Sequence, residues 1–83
     1  MEIGKELLKV LNKRYEPSGM IELRFKNKDL AFKTDDEGRP ILLFIGKKDD
    51  HGHIRGERFA RVLRSAPDGS IFKDHWDHKG KAS

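Results

Sequence analysis

The sequence predicts an α+β domain in which an N-terminal helix packs on an antiparallel β-meander of four or five strands. Two observations support this fold class. Apolar residues first recur at helical spacing, and after Pro17 they recur at every second residue, as in strands with one buried face. A chain of 83 residues that is 39% charged and 35% hydrophobic is typical of one small globular domain, here residues 1–83.

An amphipathic helix is predicted over about residues 2–14. Its apolar positions share one face and are Ile3, Leu7, Leu8, Leu11 and Tyr15. Glu6 lies in the first turn and Lys13 in the last, which complements the helix dipole. Pro17 and Gly19 then prevent the helix from continuing.

The sheet is predicted over about residues 19–78, and the first strands alternate apolar with polar residues. Residues 21–25 and 30–33 alternate in this way and form a hairpin, whereas residues 41–45 are apolar throughout. An unbroken apolar strand needs cover on both faces, so this strand is placed centrally. The tail, residues 79–83, has no apolar anchor and is expected to fray.

Residues 57–65 fit both a helix and a strand. Phe59, Val62 and Leu63 have helical spacing, but the same segment also partly alternates. The turn Pro67-Asp68-Gly69 separates it from a further short run, and two runs that flank such a turn usually pair. A strand is therefore favoured. The predicted core is Ile3, Leu7, Leu11, Ile21, Leu23, Phe25, Leu30, Phe32, Ile41, Leu43, Ile45, Phe59, Val62, Leu63, Ile71 and Trp76.

Several function classes are excluded by composition. Without cysteine the chain can form no disulfide scaffold, thiolate zinc finger or cysteine nucleophile, which fits a reducing compartment. The longest apolar run is residues 41–45, far short of the roughly 20 residues that span a bilayer. The first residues lack the pattern of a signal peptide, so a cytoplasmic protein without membrane contact is expected.

Positive charge is concentrated in the C-terminal half. Residues 1–42 hold nine basic and eight acidic residues, and residues 43–83 hold nine and six. A nucleic-acid surface could therefore use the arginines at every third position together with nearby lysines. These candidates are Arg55, Arg58, Arg61, Arg64, Lys47, Lys48 and Lys73. Arginine suits phosphate because its planar fork donates two hydrogen bonds, although in a strand neighbouring members of the set alternate between faces. Phe59 and Trp76 could stack on bases, or could simply belong to the core.

Metal binding and catalysis have weaker support. The weak candidate ligands are His51, His53, His75 and His78, but they match no zinc motif. No nucleophile elbow and no phosphate-cradling glycine loop is present. We therefore expect no cofactor, no metal site and no enzyme, with a metal-dependent enzyme built on these histidines as the third hypothesis.

The leading hypothesis is a non-catalytic binding or regulatory module that acts through protein contacts. If the second face of the central strand lacks cover within the monomer, Leu42 and Phe44 form an adhesive patch that could join a homodimer. Nucleic-acid binding through the arginines is the alternative.

Overall fold

A computed structural model describes residues 3–82 as one short helix followed by an open antiparallel sheet of five strands. The elements are α1 (Lys5–Leu11), β1 (Met20–Phe25), β2 (Lys28–Thr34), β3 (Pro40–Lys48), β4 (Ile54–Ser65) and β5 (Ile71–Ala82). The strands lie in sequence order, each paired with the next. The predicted antiparallel meander is confirmed, with five strands.

The helix is shorter than the predicted range 2–14. It begins after Gly4 and ends at Asn12, whose backbone N–H donates to the Leu8 carbonyl at 2.8 Å, and the Lys13 N–H donates to the Val10 carbonyl at 3.3 Å. The next residues leave the helix because they bind elsewhere: the Tyr15 N–H donates to the Gly38 carbonyl at 2.8 Å, and its hydroxyl donates to the Val10 carbonyl at 2.7 Å. Residue 2, the first of the predicted helix, lies outside the described residues.

One apolar cluster forms the core. It contains Leu7 and Leu11 of α1 together with five buried sheet residues, Leu30, Phe32, Leu43, Ile45 and Phe59. We call the side of the sheet that carries these five residues the core face. Two predicted core residues, Leu23 and Ile71, are exposed because they lie on the edge strands, where no neighbour covers them.

Side chains alternate along the central strands, so every second residue points to the side of the sheet opposite the core face. We call this side the outer face. Phe32 lies opposite Leu43, and Leu43 lies opposite Phe59, so the core face is continuous across β2, β3 and β4. Leu42 and Phe44 flank Leu43 in the chain and therefore point to the outer face.

The ambiguous segment 57–65 is a strand. It lies within β4, which pairs with β3 from Ile54 to Ala60 and with β5 almost throughout. The hairpin turn between β4 and β5 closes with the Ala66 N–H donating to the Ser70 carbonyl at 2.8 Å. Pairing with β5, and with β3 as far as Ala60, overrides the helical propensity of the segment.

The predicted fraying of residues 79–83 is wrong for the described part of this tail. β5 continues to Ala82, which pairs with Gly56, and Lys81 pairs with Glu57. Strand pairing uses backbone groups and needs no apolar side chain, which is why composition missed it. The register shifts across Gly80, whose φ of +97° suits glycine at a bulge. Residue 83 lies outside the described residues.

Among residues 3–82 no helix is long and apolar enough to cross a bilayer.

Candidate functional site

The candidate site is the outer face, centred on Leu42 and Phe44 of β3. Leu42 lies between Lys33 on β2 and Ala60 on β4, and Phe44 lies between Ala31 and Arg58. Both central side chains are only partly buried, although the strand itself occupies the middle of the sheet. The structure therefore places the two predicted interface residues side by side on the face that lacks the core cluster.

A shallow groove of about 410 Å³ crosses this face. Its lining comes from all five strands and the β3–β4 loop and consists of Met20, Ala31, Phe44, Gly52, His53, Ile54, Arg58, Lys81 and Ala82. Met20 is 51% exposed, whereas Ile54 is buried. The groove is thus apolar at its base and cationic along part of its rim.

Four cations of the outer face have no acidic partner among residues 3–82. Lys33 and Arg58 lie beside Leu42 and Phe44, and Arg64 and Lys73 face each other on β4 and β5. Lys48, also on this face, is instead paired with Glu22 at 2.7 Å. Two of these cations flank the apolar centre and two lie further along the face, and Asp77 also lies on this face because it is paired with Ala60. The cations outnumber this carboxylate, so the face is electropositive.

Arg61 lies on the core face and binds within the chain. Its guanidinium donates two hydrogen bonds to the Asp74 carboxylate, at 2.7 and 2.8 Å, and others to the carbonyls of Leu11 and Pro40 at 3.2 Å. It also donates to the Asn12 amide oxygen at 3.2 Å, and its side chain is only 7% exposed. Arg61 therefore joins the end of α1 to β3 and β5.

The remaining predicted cations are divided between the two faces. Lys47 and Arg55 are directly paired residues of β3 and β4 and alternate with the outer-face positions. Arg55 binds Asp49 at 3.2 Å. Of the seven predicted cations, only Arg58, Arg64 and Lys73 lie on the outer face without an acidic partner in residues 3–82.

The aromatic residues considered for base stacking lie on the other side of the sheet. Phe59 is buried in the core cluster, and Trp76 packs against that cluster with the Arg61 guanidinium 5.5 Å from its ring. The Trp76 indole N–H is buried and has no hydrogen-bond partner among residues 3–82. Trp76 therefore closes the edge of the core, as the simpler interpretation of the sequence predicts.

The histidines lie in separate places. His51 and His53 lie in the β3–β4 loop with ring centroids 6.5 Å apart, His75 is 3.2 Å from Asp77, and His78 binds Glu57. Within residues 3–82, no group of three or more His, Asp or Glu side chains is arranged to hold a metal ion.

The acidic side chains near these elements serve the fold. The hydrogen bond from the Arg61 guanidinium holds the pKa of Asp74 below its usual value, and the backbone N–H of His53 does the same for the pKa of Asp49. The bond from His78 lowers the pKa of Glu57. All three carboxylates are ionised near neutral pH, which suits structural anchors.

The sequence analysis missed three outer-face residues, Lys33, Ala31 and Met20. The alternation of Lys33 with Phe32 indicated that it points away from the core. Only the register of β2 against β3 shows that it lies beside Leu42.

Comparison of the chain with protein-family models, with curated proteins and with solved structures finds no match.

Proposed function

We propose that this protein is a non-catalytic binding module whose contact surface is the outer face and whose partner is another protein. The observation that carries the proposal is the partly exposed pair Leu42 and Phe44, held at the centre of the sheet and flanked by two cations, Lys33 and Arg58, without acidic partners in the described chain. Exposed apolar surface rimmed by polar groups is typical of protein interaction sites.

The chemistry of the groove favours a protein over a nucleic acid. Its base is mainly aliphatic, and the two aromatic rings in its lining are those of Phe44 and His53. Single-stranded nucleic acids are usually held by successive aromatic platforms, but Phe59 and Trp76 belong to the core side. Aliphatic surface suits the apolar side chains of a peptide or protein.

The charges indicate that the partner is acidic. Lys33 and Arg58 lie directly beside the two apolar residues, and Arg64 and Lys73 lie further along the same face. Two copies stacked face to face would bring these like charges together, which opposes a homodimer through this surface. A segment that combines apolar side chains with aspartate or glutamate would match both features.

A non-catalytic role is supported by the lining of the groove. The only titratable groups there are His53, Arg58 and Lys81, and the groove is a surface depression. Most of the lining is chemically inert, so its contribution is shape and apolar contact.

The test is selection of a displayed library of short random peptides on the folded protein. Clones that bind the double variant Phe44→Ser/Arg58→Glu as well as they bind the natural protein are removed. We expect enriched peptides that contain apolar and acidic residues together, whose affinity falls at least about tenfold for either single variant. The control is Leu23→Ser, which removes an exposed apolar side chain from an edge strand on the core face.

Two outcomes would contradict the proposal. One is a selection without enrichment of acidic apolar peptides. The other is saturable binding of a labelled single-stranded oligonucleotide that strengthens at low salt and is lost in Arg58→Glu, because that result assigns the face to nucleic acid.

A further inference from the structure

Arg58 differs from the other arginines of the chain because its guanidinium has no partner among residues 3–82. The arginines that pair with a carboxylate are Arg14, Arg24, Arg39, Arg55 and Arg61. Arg64 donates to the Leu63 carbonyl at 3.1 Å. Arg58 therefore keeps its whole set of N–H donors for a ligand, and the planar fork of arginine binds a carboxylate through two parallel hydrogen bonds.

This free guanidinium lies at the groove of the outer face. Arg58 lines the groove directly opposite Phe44, and the lining contains no aspartate or glutamate. Lys81 also contributes to the lining, but it is paired with Glu57, whose position opposite Ile45 belongs to the core face. Arg58 is thus the cation that the strand register places on the groove side of the sheet.

The groove is short as well as shallow. Arg58 and Ile54 both line it and are four residues apart in β4, which corresponds to about 13 Å. Between them the register pairs Gly46 with Gly56, so no side chain fills this part of the outer face. Its volume of about 410 Å³ is near the lower end of the range for ligand sites, about 300–1,000 Å³. A groove of this size accepts the end of a chain more readily than a long segment.

The spacing of the apolar and cationic groups fits a single terminal residue. Phe44 and Arg58 are directly opposed, so their Cβ atoms are about 4.5–5.5 Å apart. In an extended peptide, neighbouring side chains point to opposite sides, and side chains on the same side are about 6.6 Å apart. A C-terminal residue carries its side chain and its carboxylate on one Cα atom. It therefore brings an apolar group and an anion to Phe44 and Arg58 together.

A fatty acid also combines an apolar group with a carboxylate, but the surroundings of the groove favour a peptide. The next row of the outer face carries the charged side chains of Lys33 and Asp77, and the polar loop that contains His53 borders the groove on the other side. An alkyl chain longer than the groove would lie against these polar groups, whereas a peptide backbone can form hydrogen bonds with them.

We propose that the outer face binds the free C-terminus of its partner protein, with an apolar last side chain against Phe44 and the terminal carboxylate on the Arg58 guanidinium. Capture of a terminal carboxylate is a recurring mode of peptide recognition. The inference rests on the proposed function and specifies which part of the partner is recognised.

The test compares one synthetic peptide, Gly-Ser-Gly-Ser-Leu, as the free acid and as the C-terminal amide. Binding is followed through the amide chemical shifts of the isotopically labelled protein. We expect the acid to bind at least about tenfold more tightly than the amide, because the amide cannot form the charged bidentate pair. Extension of the acid by Gly-Ser beyond the leucine should weaken binding equally, since it separates the carboxylate from the apolar side chain.

Variants of the protein assign this preference to Arg58. Arg58→Gln should reduce the affinity for the acid to that for the amide and leave the amide unchanged. Arg58→Lys should retain only part of the preference, because an ammonium group lacks the planar fork. Phe44→Ser should weaken both forms. The matched control is Lys47→Gln, which removes an exposed cation of β3 on the other side of the sheet and should leave the preference unchanged.

The results that would overturn the inference separate it from the proposed function. If acid and amide bind equally and Phe44→Ser weakens both, the carboxylate is not recognised, but the face still binds peptides. The inference fails in the same way if an amidated peptide with glutamate two residues before the leucine binds as tightly as the free acid. If neither form binds up to about 1 mM, the inference is overturned and the library selection decides the proposed function. If decanoate binds more tightly than every peptide and Arg58→Gln abolishes this binding, the groove is a lipid site and both proposals fail.

Discussion

The two faces of the sheet are built from the same strands but have different roles. On β3, Leu43 and Ile45 are buried against Leu7 and Leu11, whereas Leu42 and Phe44 remain partly exposed. On β4, Arg61 is held by Asp74 on the core face, whereas Arg58 on the outer face has no acidic partner in residues 3–82. The comparison shows that residue type alone does not assign a role, because the face decides whether a side chain stabilises the fold or is free to contact a partner.

The largest expected difference between the faces concerns two phenylalanines of neighbouring strands. Phe32→Ala removes a fully buried ring and should reduce the free energy of unfolding by about 3–5 kcal/mol. Phe44→Ala removes a partly exposed ring and should cost less than about 2 kcal/mol. Urea denaturation of both variants measures the difference. Equal losses would show that the outer face is as tightly packed as the core face.

The two arginines provide the second comparison. Arg61→Met should lower stability by about 2 kcal/mol, because it leaves the Asp74 carboxylate and the carbonyls of Leu11 and Pro40 without their donor. Arg58→Met should change stability by less than about 0.5 kcal/mol, since an exposed side chain without an ion pair is removed. Thermal unfolding of the two variants distinguishes them. A neutral Arg61→Met would mean that these hydrogen bonds add nothing to the fold.

The Arg61–Asp74 contact should also make stability depend on pH. The pKa of Asp74 is lowered in the folded state, mainly by the hydrogen bond from Arg61. Its contribution is therefore complete above the usual carboxyl value of 3.8 and is lost as the pH falls through the lower folded value. Asp74→Asn should be less stable than the natural chain at neutral pH, and the difference should shrink in acid. A difference that is constant with pH would contradict this assignment.

The last comparison concerns the surface that we propose for binding, where we expect the fold to persist. Leu42→Ser/Phe44→Ser should leave the far-ultraviolet circular dichroism spectrum unchanged and should reduce binding of an apolar dye, because exposed apolar area is removed. Leu23→Ser is the control for loss of an aliphatic side chain outside this face. If the double variant unfolds, the two residues belong to the core and the contrast between the faces fails.

Much of the fold was predictable because strand periodicity is local. Alternation in residues 21–33 and the unbroken apolar run 41–45 indicated strands, and the turn after Ala66 identified the last hairpin. Local patterns were insufficient for residues 57–65, where helical and strand spacing coincide, and for residues 79–82, which join the sheet through backbone pairing alone. The N-terminal helix was overestimated because Tyr15 is hydrogen-bonded to Gly38, a residue distant in sequence.

The candidate site was predictable only in part, for a related reason. Leu42 and Phe44 could be proposed because a strand that is apolar on both sides must expose one side if only one layer covers it. The grouping of the cations could not be predicted. The side of the sheet on which each arginine lies depends on whether residues 57–65 form a strand and on how that strand is aligned with its neighbours.

The sequence by itself determined the fold class, the order of the strands and most of their apolar positions, because these follow from the spacing of neighbouring residues. Tertiary structure decided which arginine became a buried anchor, where α1 ended and which side chains surround Phe44. Those outcomes depend on hydrogen bonds and strand register between residues far apart in the chain, and no local pattern encodes the partner of a hydrogen bond.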